Sequence, residues 1–296
     1  MDKPIIAVTG KNGQLGSELK ELSALFPNFD FVFSDKEELD LTSASSLKNF
    51  FATHQPSFFV NCAAYTAVDK AEVDKDISYA INATAVGVIA SLCNQYNTVL
   101  IQLSTDYVFN GMGKIPYEPD DVTDPVNHYG YTKLAGEQLA LQNNLHTIVI
   151  RTSWVYSSYG HNFVKTMLRL MKERQEINVV NDQHGSPTYA LDLAEAIMAI
   201  IRYCVQNPVQ PGIFHYGNEG NISWYEFAAA IKEISGSSCH VHPIPSTQFP
   251  TPAKRPSYSV LDKQKIPSLY NIKLKDWRES LKICLEKMNS VNNQPS

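Results

Sequence analysis

The chain has 296 residues, 44% hydrophobic and 19% charged, with 25 Lys and Arg against 30 Asp and Glu for a net charge of −5. This is ordinary composition for one large or two modest globular domains; it excludes wholesale disorder, and 14 glycines and 16 prolines are too few for collagen-like or low-complexity sequence. A mildly acidic chain is a poor match for nucleic acid or an anionic membrane surface. No stretch approaches the ~20 apolar residues of a membrane span, so neither partner is expected.

The first half alternates short β-rich runs with helical spacing. Ile5–Thr9 reads as a strand, and Leu15, Leu19, Leu22 and Phe26 then recur at helical intervals. Asp30–Ser34 is a second strand, Ser45–Phe51 a helix, Ser57–Ala63 a strand and Tyr79–Cys93 a long helix. Thr98–Leu103, Tyr129–Leu141 and His146–Arg151 continue the order as strand, helix, strand. Such alternation, with strands apolar throughout, predicts an α/β fold of Rossmann type: a doubly wound parallel sheet covered on both faces.

After Trp154 the rhythm changes. Asn162–Lys172, Ala190–Tyr203 and Ser223–Ile234 read as helices, and Ile177–Val180 and Ile213–Tyr216 as strands. Pro243–Pro256 holds five prolines and reads as a wrapped loop, Lys275–Met288 as a closing helix and Ser290–Ser296 as a frayed end. The expected organisation is a dinucleotide-binding domain of residues 1–156 plus roughly 188–218, and a smaller irregular α/β lobe of roughly 157–187 plus 219–296. Five widely spaced cysteines with no C-x-x-C suggest neither disulfide framework nor zinc ribbon. Reduced, packed thiols fit a cytoplasmic protein, and the apolar run Ile5–Val8 is too short for a signal-peptide core.

Three features carry chemistry. Gly10-Lys11-Asn12-Gly13-Gln14-Leu15-Gly16 directly follows the first strand and opens the first helix. Gly10 permits the tight turn, Gly13 lets backbone approach a pyrophosphate, and Gly16 lets helix pack on strand; the helix N-terminus offers free N–H groups to phosphate. A glycine-rich turn alone needs no ligand, but strand before and helix after point to a dinucleotide. Asp35 ends the second strand, where a carboxylate bonds a ribose 2′-hydroxyl, while Lys36 and Lys11 are placed to offset a 2′-phosphate, leaving NADH and NADPH both open. Asp40 falls near the adenine or is an exposed turn carboxylate. Second, Tyr129 is the one tyrosine of 15 with Lys at i+4, namely Lys133. On a helix the two share a face, and a nearby ammonium lowers a phenol's pKa from its usual ~10, making Tyr129 a usable proton donor or acceptor. Third, Ser104-Thr105-Asp106 comes off the carboxyl end of a predicted strand, where α/β folds bind ligands.

These segments, with Asn61–Glu72, Ser104–Gly111, Tyr129–Glu137, Arg151–Tyr156, Asn162–Leu168, Asp182–Thr188 and Pro252–Pro256, resemble the extended short-chain dehydrogenase/reductase superfamily, and within it the dTDP-4-dehydrorhamnose reductase family. The resemblance covers most of the chain. It implies NADPH or NADH as cofactor and a dTDP-sugar substrate, a precursor for surface polysaccharide. It also implies that Tyr129 donates a proton to the sugar oxygen, Lys133 orients the nicotinamide ribose, and Thr105 holds the substrate carbonyl. Ala63, Ala64 and Tyr65 are expected along the cofactor, and Val68, Asp69, Lys70, Asp106 and Trp154 at the sugar pocket, with a core tryptophan as the alternative for Trp154. Arg255 matches an arginine that meets the nucleotide diphosphate, with a solvated loop charge as the alternative. Cys62 and Ser157 depart from the family's usual alanine and glycine. Some relatives are metal-bridged homodimers; Glu18 is the one carboxylate suggested for Mg2+, and nothing in the sequence demands a metal. Two other functions share the fold: an epimerase or dehydratase holding NAD permanently, for which the glutamate expected after Asp106 is replaced by Tyr107, and a non-catalytic regulatory subunit like that of methionine adenosyltransferase.

Overall fold

A computed structural model describes residues 3–292; most of the expected frayed end, Ser290–Ser296, lies outside them. Six parallel strands form the central sheet: β1 (Ile5–Thr9), β2 (Asp30–Ser34), β3 (Phe58–Asn61), β4 (Val99–Thr105), β5 (Thr147–Thr152) and a strand from much later in the chain, Gly212–His215. The order is Gly212–His215, β5, β4, β3, β1, β2. The chain starts at β1, runs outward to β2, then crosses back through β3 to the other side, so the switch point lies between β1 and β3.

Alternation along each strand builds two cores. Ile6, Val8, Val60, Ile101 and Ile150 face α1 (Gln14–Leu22) and the later helix Ala190–Gln206. Ala7, Phe59 and Leu100 face α2 (Ala44–His54) and the helix Ala85–Gln95. Both sets are fully buried, hence the continuous apolar runs of a sheet covered on both sides. Phe51 stacks on Phe59 with centroids 5.2 Å apart, and truncating either to Ala would cost about 3–5 kcal/mol.

Between β3 and β4 the chain forms α3 (Val68–Ala71), α4 (Lys75–Tyr79) and α5 (Ala85–Gln95), the last two joined by a π-helical turn, Ala80–Thr84. The expected helix thus begins four residues earlier and is interrupted. Contrary to the sequence expectation, the run Lys75–Gln95 is long and apolar enough by composition to cross a membrane; in this fold more than half of it is buried, against α2 and α6 (His128–Asn143).

The second lobe begins with β6 (Val155–Tyr156), α7 (Phe163–Glu173), β7 (Glu176–Val180), β8 (His184–Gly185) and β9 (Thr188–Tyr189). It continues, after α8 (Ala190–Gln206) and β10 (Gly212–His215), with β11 (Ile222–Ser223), α9 (Trp224–Ser235) and β12 (His240–Ile244). Helices α10 (Lys265–Tyr270) and α11 (Trp277–Asn292) complete the chain. The lobe's own core gathers Tyr156, Val164, Met167, Tyr189, Phe227 and Leu281. Ile266 and Tyr270 of α10 instead pack in the core of the large sheet.

One expectation is corrected here. Pro243 lies in β12, which pairs in parallel with β7, rather than in a loop. His240 donates to Gln175 at 2.8 Å and Asn181 to Ile244 at 3.0 Å, so the bonded residues of β12 are the even-numbered ones. Pro243 occupies an outward position on an edge strand, where a missing N–H costs nothing. The wrapped loop begins only at Pro245.

Candidate active site

The glycines do what close packing requires. A Cβ on Gly16 would sit 2.1 Å from the Gly10 carbonyl oxygen, and one on Gly10, at φ +68°, would sit 3.0 Å from Ala63 N. The turn closes by Gly13 N–H donating to Gly10 O at 2.9 Å. Gly10, Gly13, Gln14, Leu15, Asp35, Ala63, Ala64, Ser104, Tyr129 and Lys133 line one cavity of about 490 Å³, at the carboxyl ends of the strands on both sides of the switch point. Asn12, Gly16, Asp40 and Tyr65 are not on its wall. Gly16 serves by packing, Asp40 accepts from Thr42 in an exposed turn, and the Tyr65 hydroxyl donates outward to Asp74 at 2.7 Å. Lys11 pairs with Glu38, which also accepts from Asp35 N.

Tyr129 and Lys133 share one face of α6, whose N-terminus is capped by Asn127 accepting from Gly130 N at 2.8 Å. Lys133 Nζ donates to Leu103 O at 2.7 Å, at the end of β4. Burial pushes this ammonium down to about 8, against the opposing pull of the Glu137 carboxylate. Glu137 is itself forked onto Arg151 at 2.7 and 2.9 Å, both side chains 2% exposed. Burial also pushes the Tyr129 phenol up to about 12, with the Thr105 hydroxyl pulling it back. The expected lowering by Lys133 is therefore corrected: burial sets an upward shift, what lowering there is comes from Thr105, and the phenol stays protonated at neutral pH.

Thr105 is nearly buried beside Tyr129; its hydroxyl donates to Asp106 Oδ1 at 3.0 Å and accepts from Tyr107 N at 3.2 Å. Asp106, expected at the sugar, is 2% exposed beneath Thr105, and burial raises its carboxyl to about 6. Its side-chain contacts are with Ser259 and Thr105, not with the cleft.

A second cavity of about 420 Å³ lies in the other lobe, walled by α7, β7 and the loop ending at Arg255. Phe163, Met167, Leu170, Ile177 and Trp224 make much of it apolar; Asp69, Tyr107, Arg174 and Arg255 are its polar edge. Tyr107 touches Tyr129 edge to face, ring centroids 5.7 Å apart, so the two cavities meet at this aromatic pair. Arg255 grips Asp69 with both nitrogens at 2.8 Å, and Ala253 N donates to Asp69 Oδ1 at 3.1 Å. These bonds hold the Asp69 carboxyl below the usual carboxylate range. Three residues expected at the sugar pocket and one at the diphosphate thus divide as follows: Asp69 and Arg255 meet here, paired with each other, while Val68 and Lys70 flank Asp69 on α3 off the cavity wall. Trp154 stacks on Trp224 at 3.5 Å, with a backbone φ of +48° unusual for a bulky residue, and Trp224 rather than Trp154 lines the cavity. A larger groove of about 620 Å³ along residues 260–268 gathers no comparable set of groups.

Glu18 does not fit a metal. It is fully buried, with one oxygen accepting from Ser157 at 2.6 Å and the other from Lys287 at 2.9 Å. Among the described residues no group of three or more His, Cys, Asp and Glu is placed to hold an ion.

Sequence reasoning missed several contributors. Asn82, in the π-helical turn, is 2% exposed and accepts from Tyr65 N at 2.8 Å while donating to Tyr65 O and Thr132 Oγ1, both at 3.0 Å. It ties the segment after β3 to α6 one residue before Lys133. A lone buried amide in an otherwise apolar helix was the available signal. Thr66, Thr152, His161 and Leu193 also line the first cavity.

Residues 4–290 match the RmlD substrate binding domain family. The chain is 39% identical over 287 residues to the spore coat polysaccharide biosynthesis protein SpsK of Bacillus subtilis, covering 97% of this chain and 98% of that one. It is 39% identical to the dTDP-4-dehydrorhamnose reductase of Escherichia coli, covering 96% and 97%. The crystal structure of dTDP-4-dehydrorhamnose reductase from Bacillus anthracis in complex with NADP superposes with a TM-score of 0.91 at 37% identity, covering 96% of this chain and 99% of that one.

Proposed function

The chain belongs to the RmlD substrate binding domain family, and we propose that it catalyses NAD(P)H-dependent reduction of the C4 keto group of dTDP-4-dehydro-L-rhamnose to dTDP-L-rhamnose. The observation that carries this reading is the meeting of two cavities at Tyr129 and Tyr107: one is floored by a glycine turn and helix N-terminus, the other is apolar with a guanidinium at its edge. The glycine turn fits a dinucleotide, because any side chain at Gly16 or Gly10 would strike backbone where the loop must close. When bound, the reduced nicotinamide supplies the hydride.

In this reading the chain's own residues do the rest. Gly10–Gly16 and the start of α1 hold the diphosphate, Asp35 the adenosine ribose, and Lys133 the nicotinamide ribose. Ala63 and Ala64 lie along the dinucleotide. Tyr129, protonated at neutral pH, gives its proton to the C4 oxygen, and Thr105 steadies that oxygen. Arg255 exchanges Asp69 for the nucleotide diphosphate, where a planar fork suits two phosphates. Residues 1–156 with roughly 188–218 serve the dinucleotide, and the second lobe serves the sugar nucleotide.

The test couples the purified protein to enzymes that generate dTDP-4-dehydro-L-rhamnose, follows loss of NADPH absorbance and identifies the product. Stoichiometric conversion to dTDP-L-rhamnose is expected. Binding of both NADPH and dTDP with no oxidation would overturn the reductase reading in favour of a non-catalytic binder.

A further inference from the structure

His161 has no role in the reading above, yet it lines the same cavity as Gly10, Gly13 and Gln14 and is exposed. Its neighbours on both sides lie close to Gln14, the first residue of α1. A Cβ on Gly160 would lie 3.1 Å from Gln14 Cγ, and Asn162 Nδ2 donates to Gln14 Oε1 at 3.0 Å. Gln14 Nε2 in turn donates to Val155 O at 3.3 Å. The loop is anchored to α1 at two further points, Ser157 to Glu18 and Tyr159 to Glu21, each at 2.6 Å. Asn162 closes the loop on itself by donating to Ser157 O at 2.7 Å and caps α7 by accepting from Lys165 N. This short loop is therefore fixed over the end of the helix before any ligand arrives, with His161 just ahead of the α7 cap Asn162.

The cations near the glycine turn are otherwise engaged: Lys11 pairs with Glu38, and Lys133 bonds to Leu103 O at the far end of the cavity. A dinucleotide diphosphate carries two negative charges, and the turn itself offers only backbone N–H groups. We infer that His161 is a binding residue for that diphosphate, reaching it from the second lobe across from the glycine turn. The inference rests on the dinucleotide part of the proposed function. It makes the cofactor site a product of both lobes, because His161 stands at the head of α7, the helix that walls the second cavity. Because the backbone on either side is already tied down, little loop ordering is needed on binding, so an imidazole N–H there adds affinity at low cost.

The experiment is calorimetric titration of NADPH, adenosine 2′-phosphate and dTDP into wild type, His161→Ala and His161→Lys, with melting temperatures as a check on folding. His161→Ala is expected to weaken NADPH about tenfold, roughly 1.4 kcal/mol. Adenosine 2′-phosphate, which has no diphosphate, and dTDP are expected to bind as before, and His161→Lys to recover most of the NADPH loss. Failure of wild type to bind NADPH would sink the dinucleotide reading itself. Equal NADPH binding by wild type and His161→Ala, or an equal loss for adenosine 2′-phosphate, would overturn the role of His161 alone.

Discussion

Arg255 enters the cleft already paired with Asp69, so its contribution to substrate binding is a difference between two ion pairs. A charge-assisted contact with a diphosphate is worth about 1.5–3 kcal/mol. Against it stands the Asp69 pair, with side chains 23% and 39% exposed, and partly exposed pairs contribute only about 0–1 kcal/mol. The net loss on Arg255→Ala is then about 0.5–3 kcal/mol, or roughly 2- to 150-fold in dTDP affinity. Asp69→Asn keeps the shape but removes the competing charge, so dTDP should bind at least as tightly as to wild type. The sign also fixes a pH effect. Asp69 is held below its ordinary value by Arg255, so its competition with dTDP is fully present above the unperturbed carboxylate pKa of ~3.9 and fades only below it. Across pH 6–8 the ratio of Asp69→Asn to wild-type affinity should stay flat. Titration calorimetry with dTDP and NADPH in parallel checks all of this. Equal losses for both ligands in Arg255→Ala would mean a folding defect. An unchanged dTDP affinity in that variant would refute the exchange of partners altogether.

Tyr129→Phe should keep NADPH affinity and lose about 10²–10⁴ in turnover, the usual worth of a general acid; near-normal turnover removes Tyr129 from the chemistry. NADPH affinity should fall as pH rises through about 8, because Lys133 is charged below that value and neutral above it; the fall should be absent in Lys133→Met, and calorimetry across pH 6.5–9.5 decides. Gly130→Ala places a Cβ 2.1 Å from the Tyr107 carbonyl oxygen, so the Asp106–Val108 turn must shift against α6. The strain should cost about 1–3 kcal/mol of stability and lower kcat by more than it raises KM, as read by melting curves and steady-state kinetics. Finally, the protein should purify without nicotinamide cofactor that only denaturation releases; a full complement of trapped NAD would favour epimerase or dehydratase chemistry.

What the sequence reveals follows contour length. Gly10–Gly16, Tyr129 with Lys133, and Ser104-Thr105 are each contiguous or one helical turn apart, so spacing alone places them together. Alternation of strand and helix then brings all three to one edge of the sheet. Pairings across the lobes leave no such trace. Asp69 and Arg255 are 186 residues apart, Gln14 and Asn162 are 148 apart, and each side chain reads separately as a plausible surface group. Asp106 was misplaced because β4 runs into a short 3-10 turn that buries Thr105 and Asp106 alike, at 5% and 2% exposed, and nothing in the sequence marks that inward turn. Pro243 was misread because proline excludes a central strand without excluding an edge one.

The protonation states bear on the direction of the chemistry. A phenolate at Tyr129 would suit removal of a proton from an alcohol, the oxidative direction. Burial instead holds Tyr129 as a phenol with its pKa up at about 12, which suits delivery of a proton to an alkoxide as it forms. Thr105 gives its hydroxyl proton to Asp106 at 3.0 Å, and it is also the side chain that draws the raised pKa of Tyr129 back down. Asp106, raised to about 6 by burial, is ionised at neutral pH and keeps Thr105 turned that way. A buried carboxylate that meets no ligand is costly to maintain, and its return in this fold is the orientation of one hydroxyl beside the proton donor.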